Sequence, residues 1–84
     1  MDESERIRFC AWLKQQSDLS DNVIRDTASR LCRIEKIMPL NTNGATDDFI
    51  FRLGKKAEFS KLSQSVKSQL KRAYKLYHQY KVGR

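Results

Sequence analysis

Between Ser63 and Val82 the chain has neither proline nor glycine, and its apolar residues return at helical spacing. Ser63 is a good N-cap, so a helix is expected from Gln64 to about Val82. Place Lys67 at 0° and step by about 100° per residue. Leu76, Tyr80, Ala73, Val66, Tyr77, Leu70 and Tyr74 then fill one arc from about 180° to 340°. Lys67, His78, Lys71 and Lys75 fall between about 0° and 80°, with Arg72 further round. A helix this long and this one-sided needs a cover for its apolar arc.

The remaining sequence reads as further helices. One proline and three glycines leave few breaks, so the fold class expected is all-α. A first helix is expected over about residues 3–16. Phe9, Trp12, Leu13 and Gln16 follow the i, i+3, i+4, i+7 rule there, and Asp2, Glu3 and Glu5 favour the positive end of the helix dipole. Ser17-Asp18-Leu19-Ser20 reads as a turn, with Ser20 capping a second helix over about residues 21–37. Ile24, Ala28, Leu31 and Glu35 share one side of it, widened by Val23, Thr27 and Ile34. Asn22, Arg25, Ser29, Arg33 and Lys36 share the opposite side, within an arc of about 80°. Pro39 ends that helix, and Asn41-Thr42-Asn43-Gly44 reads as a loop. A short third helix is expected over about 47–53, capped by Thr46, with Phe49, Ile50 and Leu53 inward and Gly54 as its C′ residue. Lys55 to Leu62 reads as a basic connection.

Charge narrows the partner. Lys+Arg exceed Asp+Glu by 17 to 10, a net +7. Residues 1–42 carry seven of each sign, so the whole excess lies in residues 43–84. From Arg52 onward there are ten basic residues and one acid, Glu58. With a pI near 9.7, a polyanion is the expected partner, nucleic acid before an anionic membrane surface. Lysines at i, i+4 and i+8 repel by a few tenths of a kcal/mol per pair. An anion laid across them relieves that repulsion. The longest apolar run, Cys10-Ala11-Trp12-Leu13, is far too short for a transmembrane helix. Eighty-four residues exclude a two-domain enzyme or a (β/α)₈ barrel.

No catalytic pattern stands out, and no cofactor or small-molecule substrate is expected. Asp47-Asp48 is accounted for as first-turn helix chemistry. A single histidine, His78, on a polar face supports no nucleophilic constellation. Two cysteines, Cys10 and Cys32, without a CxxC pair do not make a zinc site. Their apolar neighbours favour buried free thiols in a reducing cytoplasm, with a disulfide left open. Tyr74, Tyr77 and Tyr80 read as the edge of a core, with a stacking platform for single strands as the alternative. A membrane-surface role for the last helix turns on whether its apolar arc is covered by the first two helices.

Two stretches resemble a known family. Residues 20–31, from Ser20 through Val23-Ile24 to Leu31, are similar to the second-helix pattern of the core-binding, SAM-like N-terminal domain of tyrosine recombinases (phage integrases). Residues 62–80 resemble that family's last helix: a Ser63-x-Ser65-Val66 start, Leu70, then Ala73-Tyr74 and a closing aromatic run. Phe9-x-x-Trp12-Leu13 is similar to its opening helix, and Asp47-Asp48-Phe49-Ile50 to its short third helix. Val23 stands where the family has Thr, and Thr27 where it has an aromatic. The family's catalytic Arg, His and Tyr lie in a downstream domain, and nothing here matches them.

The resemblance implies a small four-helix bundle that clamps duplex DNA with its second and last helices. Carried over by position, it nominates Arg25, Ser29, Arg33 and Lys36 on the second helix and Lys67, Lys71 and Lys75 on the last. The expectation is a non-catalytic, cytoplasmic DNA-binding module of mobile-element type, a fragment of a recombinase or a stand-alone protein. A protein partner or a second copy on DNA stays open. The alternative is a helical interaction module or inhibitor whose basic face docks on an acidic protein.

Overall fold

A computed structural model describes residues 1–16 and 18–83. Ser17, first residue of the expected turn, lies outside the described residues. All secondary structure among the described residues is helical: α1 (Glu3–Gln16), α2 (Asp21–Ile37), α3 (Thr46–Gly54), α4 (Ala57–Ser60) and α5 (Gln64–Val82).

Local chemistry sets most of these limits. Asp2 stands at the cap position of α1, where its Oδ1 accepts from the Glu5 N–H at 2.7 Å. The Ser20 and Ser63 hydroxyls accept from the Val23 and Val66 N–H groups, each at 3.3 Å. α2 stops at Ile37 because Met38, the residue before Pro39, is held extended at φ −155°, ψ 134°.

Three expectations for the middle of the chain need correction. Thr46 is the first residue of α3 and not its cap; Ala45 takes the cap position and offers no side-chain acceptor. Gly54 is the last residue of that helix, and no described residue has a positive φ. The chain leaves α3 through the right-handed Lys55 instead, so no left-handed glycine is needed. The stretch expected as a connection, residues 55–62, contains the helical turn α4. Its cause is Phe59, which is only 2% exposed. The turn carries that ring inward from between the exposed Glu58 and Ser60, and the Ser60 hydroxyl donates to the Ala57 carbonyl at 3.1 Å.

α5 is the hub. It packs against α1, α2 and α3, while α1 also packs against α2 and α3 against α4. Its apolar arc is spent inside: Leu70, Ala73, Tyr74, Tyr77 and Tyr80 are buried. The three tyrosines are therefore core, and the arc that a membrane-surface role would use is covered. Tyr74 stacks on Phe49 of α3 with centroids 3.9 Å apart. Tyr77 and Tyr80 meet Phe9 of α1 edge-on at 5.6 and 5.4 Å, the geometry that aromatic quadrupoles favour. α2 contributes Ile24, Thr27, Ala28, Leu31 and Ile34. Two residues expected on its inner side are not inside: Val23 is 40% exposed, and Glu35 is exposed and takes the ammonium of Met1. Cys10 and Cys32 are free thiols, half-buried and not fully buried as expected. Desolvation raises the Cys10 pKa above the usual thiol value, which keeps it protonated at neutral pH. No described helix is long and apolar enough to cross a membrane.

Candidate nucleic-acid interface

Packing decides what each cation can do. Four of the described Lys and Arg side chains are matched to carboxylates: Arg6 with Glu3, Lys14 with Asp21, Arg52 with Asp48 and Lys81 with Glu5. Between Lys55 and Lys75 there are seven Lys and Arg residues. None has a described carboxylate within 4.0 Å. The uncompensated charge of the second half is thus gathered on α5 and the segment leading into it.

α5 turns this charge outward on a definite flank. Lys67 and Lys71 are half-buried beside α3 and α4, and Lys75 is exposed. Lys67 and Lys71 line a shallow groove of about 430 Å³ together with Lys55, Phe51 and Gln64, floored by Ile50 and Phe59. Phe51 is 63% exposed, and the Lys55 ammonium lies over its ring at 4.4 Å from the centroid, within cation–π range. His78, near the upper end of the stripe, is tied down: its Nε2 lies 3.0 Å from the Gly44 carbonyl. A carbonyl only accepts, so that nitrogen carries the proton.

The α2 set occupies another face. Arg25, Ser29, Arg33 and Lys36 are all exposed. A second groove, of about 390 Å³, runs between α2 and α5 and contains Val23, Thr27 and Arg30 opposite Gln69, Arg72 and Leu76. On α2 the four expected residues are centred about 130° round the helix from that groove. On α5 the lysine groove and the α2 groove are about 160° apart. The two nominated sets therefore do not meet. What stands between them is Arg72 on α5 and Arg30 on α2, both in the second groove. By helix angle Lys71, Lys75 and Arg72 succeed one another round α5 toward that groove, and Arg30 and Arg33 succeed one another round α2 away from it, so a cationic band drawn between the two sets passes through Arg72 and Arg30.

Sequence reasoning left out Lys55, Phe51, Arg30 and Arg72 as site residues. Phe51 carried a readable signal. At about 100° per residue it lies about 160° from Leu53 and Phe49's shared side, so it could not join them in the core. Arg30 and Arg72 flank the apolar arcs of their helices, where only the rotation of one helix against another decides exposure.

Other clefts carry less chemistry. One, of about 460 Å³, lies at the α2–α3 loop, and its cation, Arg52, is 3.3 Å from Asp48. Among the described residues no group of three His, Cys, Asp or Glu side chains could hold a metal ion. No family model matches the chain, and no curated protein or solved structure matches it either.

Proposed function

We propose that this chain is a DNA-binding module that grips duplex DNA through its phosphates, acting in the cytoplasm without chemistry of its own. The observation that carries the reading is the band from Lys67 through Lys75 and Arg72 to Arg30, whose cations lack described carboxylate partners. Such a band displaces counterions from a polyanion, which is the main source of phosphate-driven affinity. The fold type proposed is the SAM-like core-binding domain of tyrosine recombinases. In this reading α1, α2, α3 and α5 are its four helices, and α4 is one extra turn before the last. The α5 lysines make the primary contact. Arg25, Ser29, Arg33 and Lys36 engage a flanking segment that the duplex reaches across Arg72 and Arg30. Base reading, where it occurs, falls to Arg25, Ser29 or Arg33.

A fluorescence-anisotropy titration of a labelled duplex at several salt concentrations tests this. With about five phosphate contacts, log K falls against log[salt] with a slope of about −4 to −5. Changing Lys67, Lys71 and Lys75 together to Gln makes the slope shallower by about 0.9 for each phosphate that is no longer neutralised. No duplex binding at low salt sinks the proposal. A saturable acidic protein partner that survives nuclease treatment would move the reading to a basic docking module.

A further inference from the structure

We infer that the groove around Phe51 is a site for an unpaired nucleotide, its base stacked on the Phe51 ring and its flanking phosphates on Lys55, Lys67 and Lys71. The inference rests on the nucleic-acid reading above and narrows what form of nucleic acid this face takes.

A phosphate-gripping surface has no use for an aromatic ring in its centre. A paired duplex offers that ring no base face, because its bases are stacked on one another. Yet Phe51 is 63% exposed, the most exposed of the large apolar residues described, and it stands inside the lysine groove. One face of the ring lies under the Lys55 ammonium at 4.4 Å. An aromatic flanked by cations is the arrangement that holds single strands, with the base on the ring and the backbone on the charges.

The rest of the groove fits. Its volume, about 430 Å³, is in the range of small-ligand sites. Ile50 and the buried Phe59 give it an apolar floor. Gln64 has both a donor and an acceptor to offer a base edge. Gly54 leaves the approach open, since a Cβ there would meet nothing within 4 Å. Lys55, Lys67 and Lys71 have no described carboxylate within 4.0 Å to compete with a phosphate.

The test compares an oligothymidylate with a fully paired duplex by anisotropy, using wild type, Phe51→Ala, Phe51→Trp and Gly54→Leu. Phe51 is solvent-facing, so Phe51→Ala keeps the wild-type circular dichroism spectrum. Its affinity for oligothymidylate falls roughly 5- to 150-fold, the range for losing one base–aromatic stack. Its duplex affinity does not change, and Phe51→Trp retains single-strand binding. Gly54→Leu fills the groove without touching a charge and weakens the single strand alone. Equal single-strand affinity for wild type and Phe51→Ala overturns the inference while leaving duplex binding standing. Single-strand binding that depends on Phe51 in a protein that ignores duplex overturns the duplex reading and keeps the inference. A Phe51→Ala loss seen only on vesicles containing phosphatidylserine assigns the groove to a membrane surface and overturns it.

Discussion

Glu5 ties the first helix to the last through two different chemistries. Its Oε1 accepts from the Tyr77 hydroxyl at 2.8 Å, and its Oε2 accepts from the Lys81 ammonium at 2.7 Å. The Lys81 hydrogen bond, and then that of Tyr77, hold the Glu5 carboxyl below the usual carboxylate range, against the opposing effect of burial. Burial first, and the Glu5 contact second, push the Tyr77 hydroxyl upward, so it stays a donor well into alkaline solution. A carboxyl with a lowered folded-state pKa contributes stability above its unfolded pKa of about 4.3. That contribution is lost as pH falls through the lower folded value. Glu5→Gln is therefore less stable than wild type at pH 7, and the difference shrinks as pH falls through the lowered folded-state pKa of Glu5. Tyr77→Phe removes a hydrogen bond to a charged acceptor and costs roughly 1–2 kcal/mol at pH 7. In a domain of this size that corresponds to a fall of very roughly 4–16 °C in Tm. Urea midpoints at pH 7 and pH 3 check both. A Tyr77→Phe loss equal at the two pH values would show that the ring's packing, and not its bond to Glu5, is what the variant disturbs.

At the scale of elements, capping explains why some helix ends are legible and others are not. Ser20 and Ser63 sit at φ −69°, ψ 160° and φ −65°, ψ 159°. Ala45 has nearly the same backbone, φ −69° and ψ 148°, with no side chain to use it. Ser63→Ala is expected to cost about 1 kcal/mol, and Ala45→Ser to stabilise by a similar amount. Thr46→Ala should change little, because Thr46 caps nothing. Thermal denaturation of the three variants separates them, and a loss at Thr46 matching that at Ser63 would contradict the assigned start of α3. The limits of α1, α2 and α5 were legible because each repeats an apolar pattern over several turns and two of them begin at a serine cap. The α4 turn was not, because one turn held by a single ring, Phe59, has no period to detect. The same logic divides the candidate site. Lys67, Lys71 and Lys75 follow from the periodicity of α5 alone. Lys55 and Phe51 reach that stripe from outside α5. Periodicity shows which residues share a side of one helix, but not how two helices are turned against each other, so the join through Arg30 and Arg72 appears only in three dimensions.

For the whole molecule, the unpaired cations oppose the free fold and would favour the proposed DNA-bound one, so salt should act on the two in opposite directions. Lys67, Lys71 and Lys75 form two i, i+4 like-charge pairs, each unfavourable by a few tenths of a kcal/mol. Lys55 adds to this field at the foot of the same groove. Raising salt from about 0.01 M to 0.15 M shortens the screening length from about 30 Å to about 8 Å. Folding stability of the free protein should therefore rise over that range, while the proposed affinity for DNA should fall. Replacing the three lysines with Gln keeps helix propensity nearly unchanged, so the charge effect stands alone. At the low salt the triple variant should be more stable than wild type by about 0.5 kcal/mol. The gap should shrink toward zero at the higher salt, even as the variant binds duplex more weakly at both. Chemical denaturation in urea, which adds no ions, measures the first quantity, and anisotropy the second. A variant equal to wild type in stability at low salt would mean that the stripe is already screened by its own solvent. Relief of repulsion would then drop out as a driving force for binding, leaving counterion release to account for the affinity on its own.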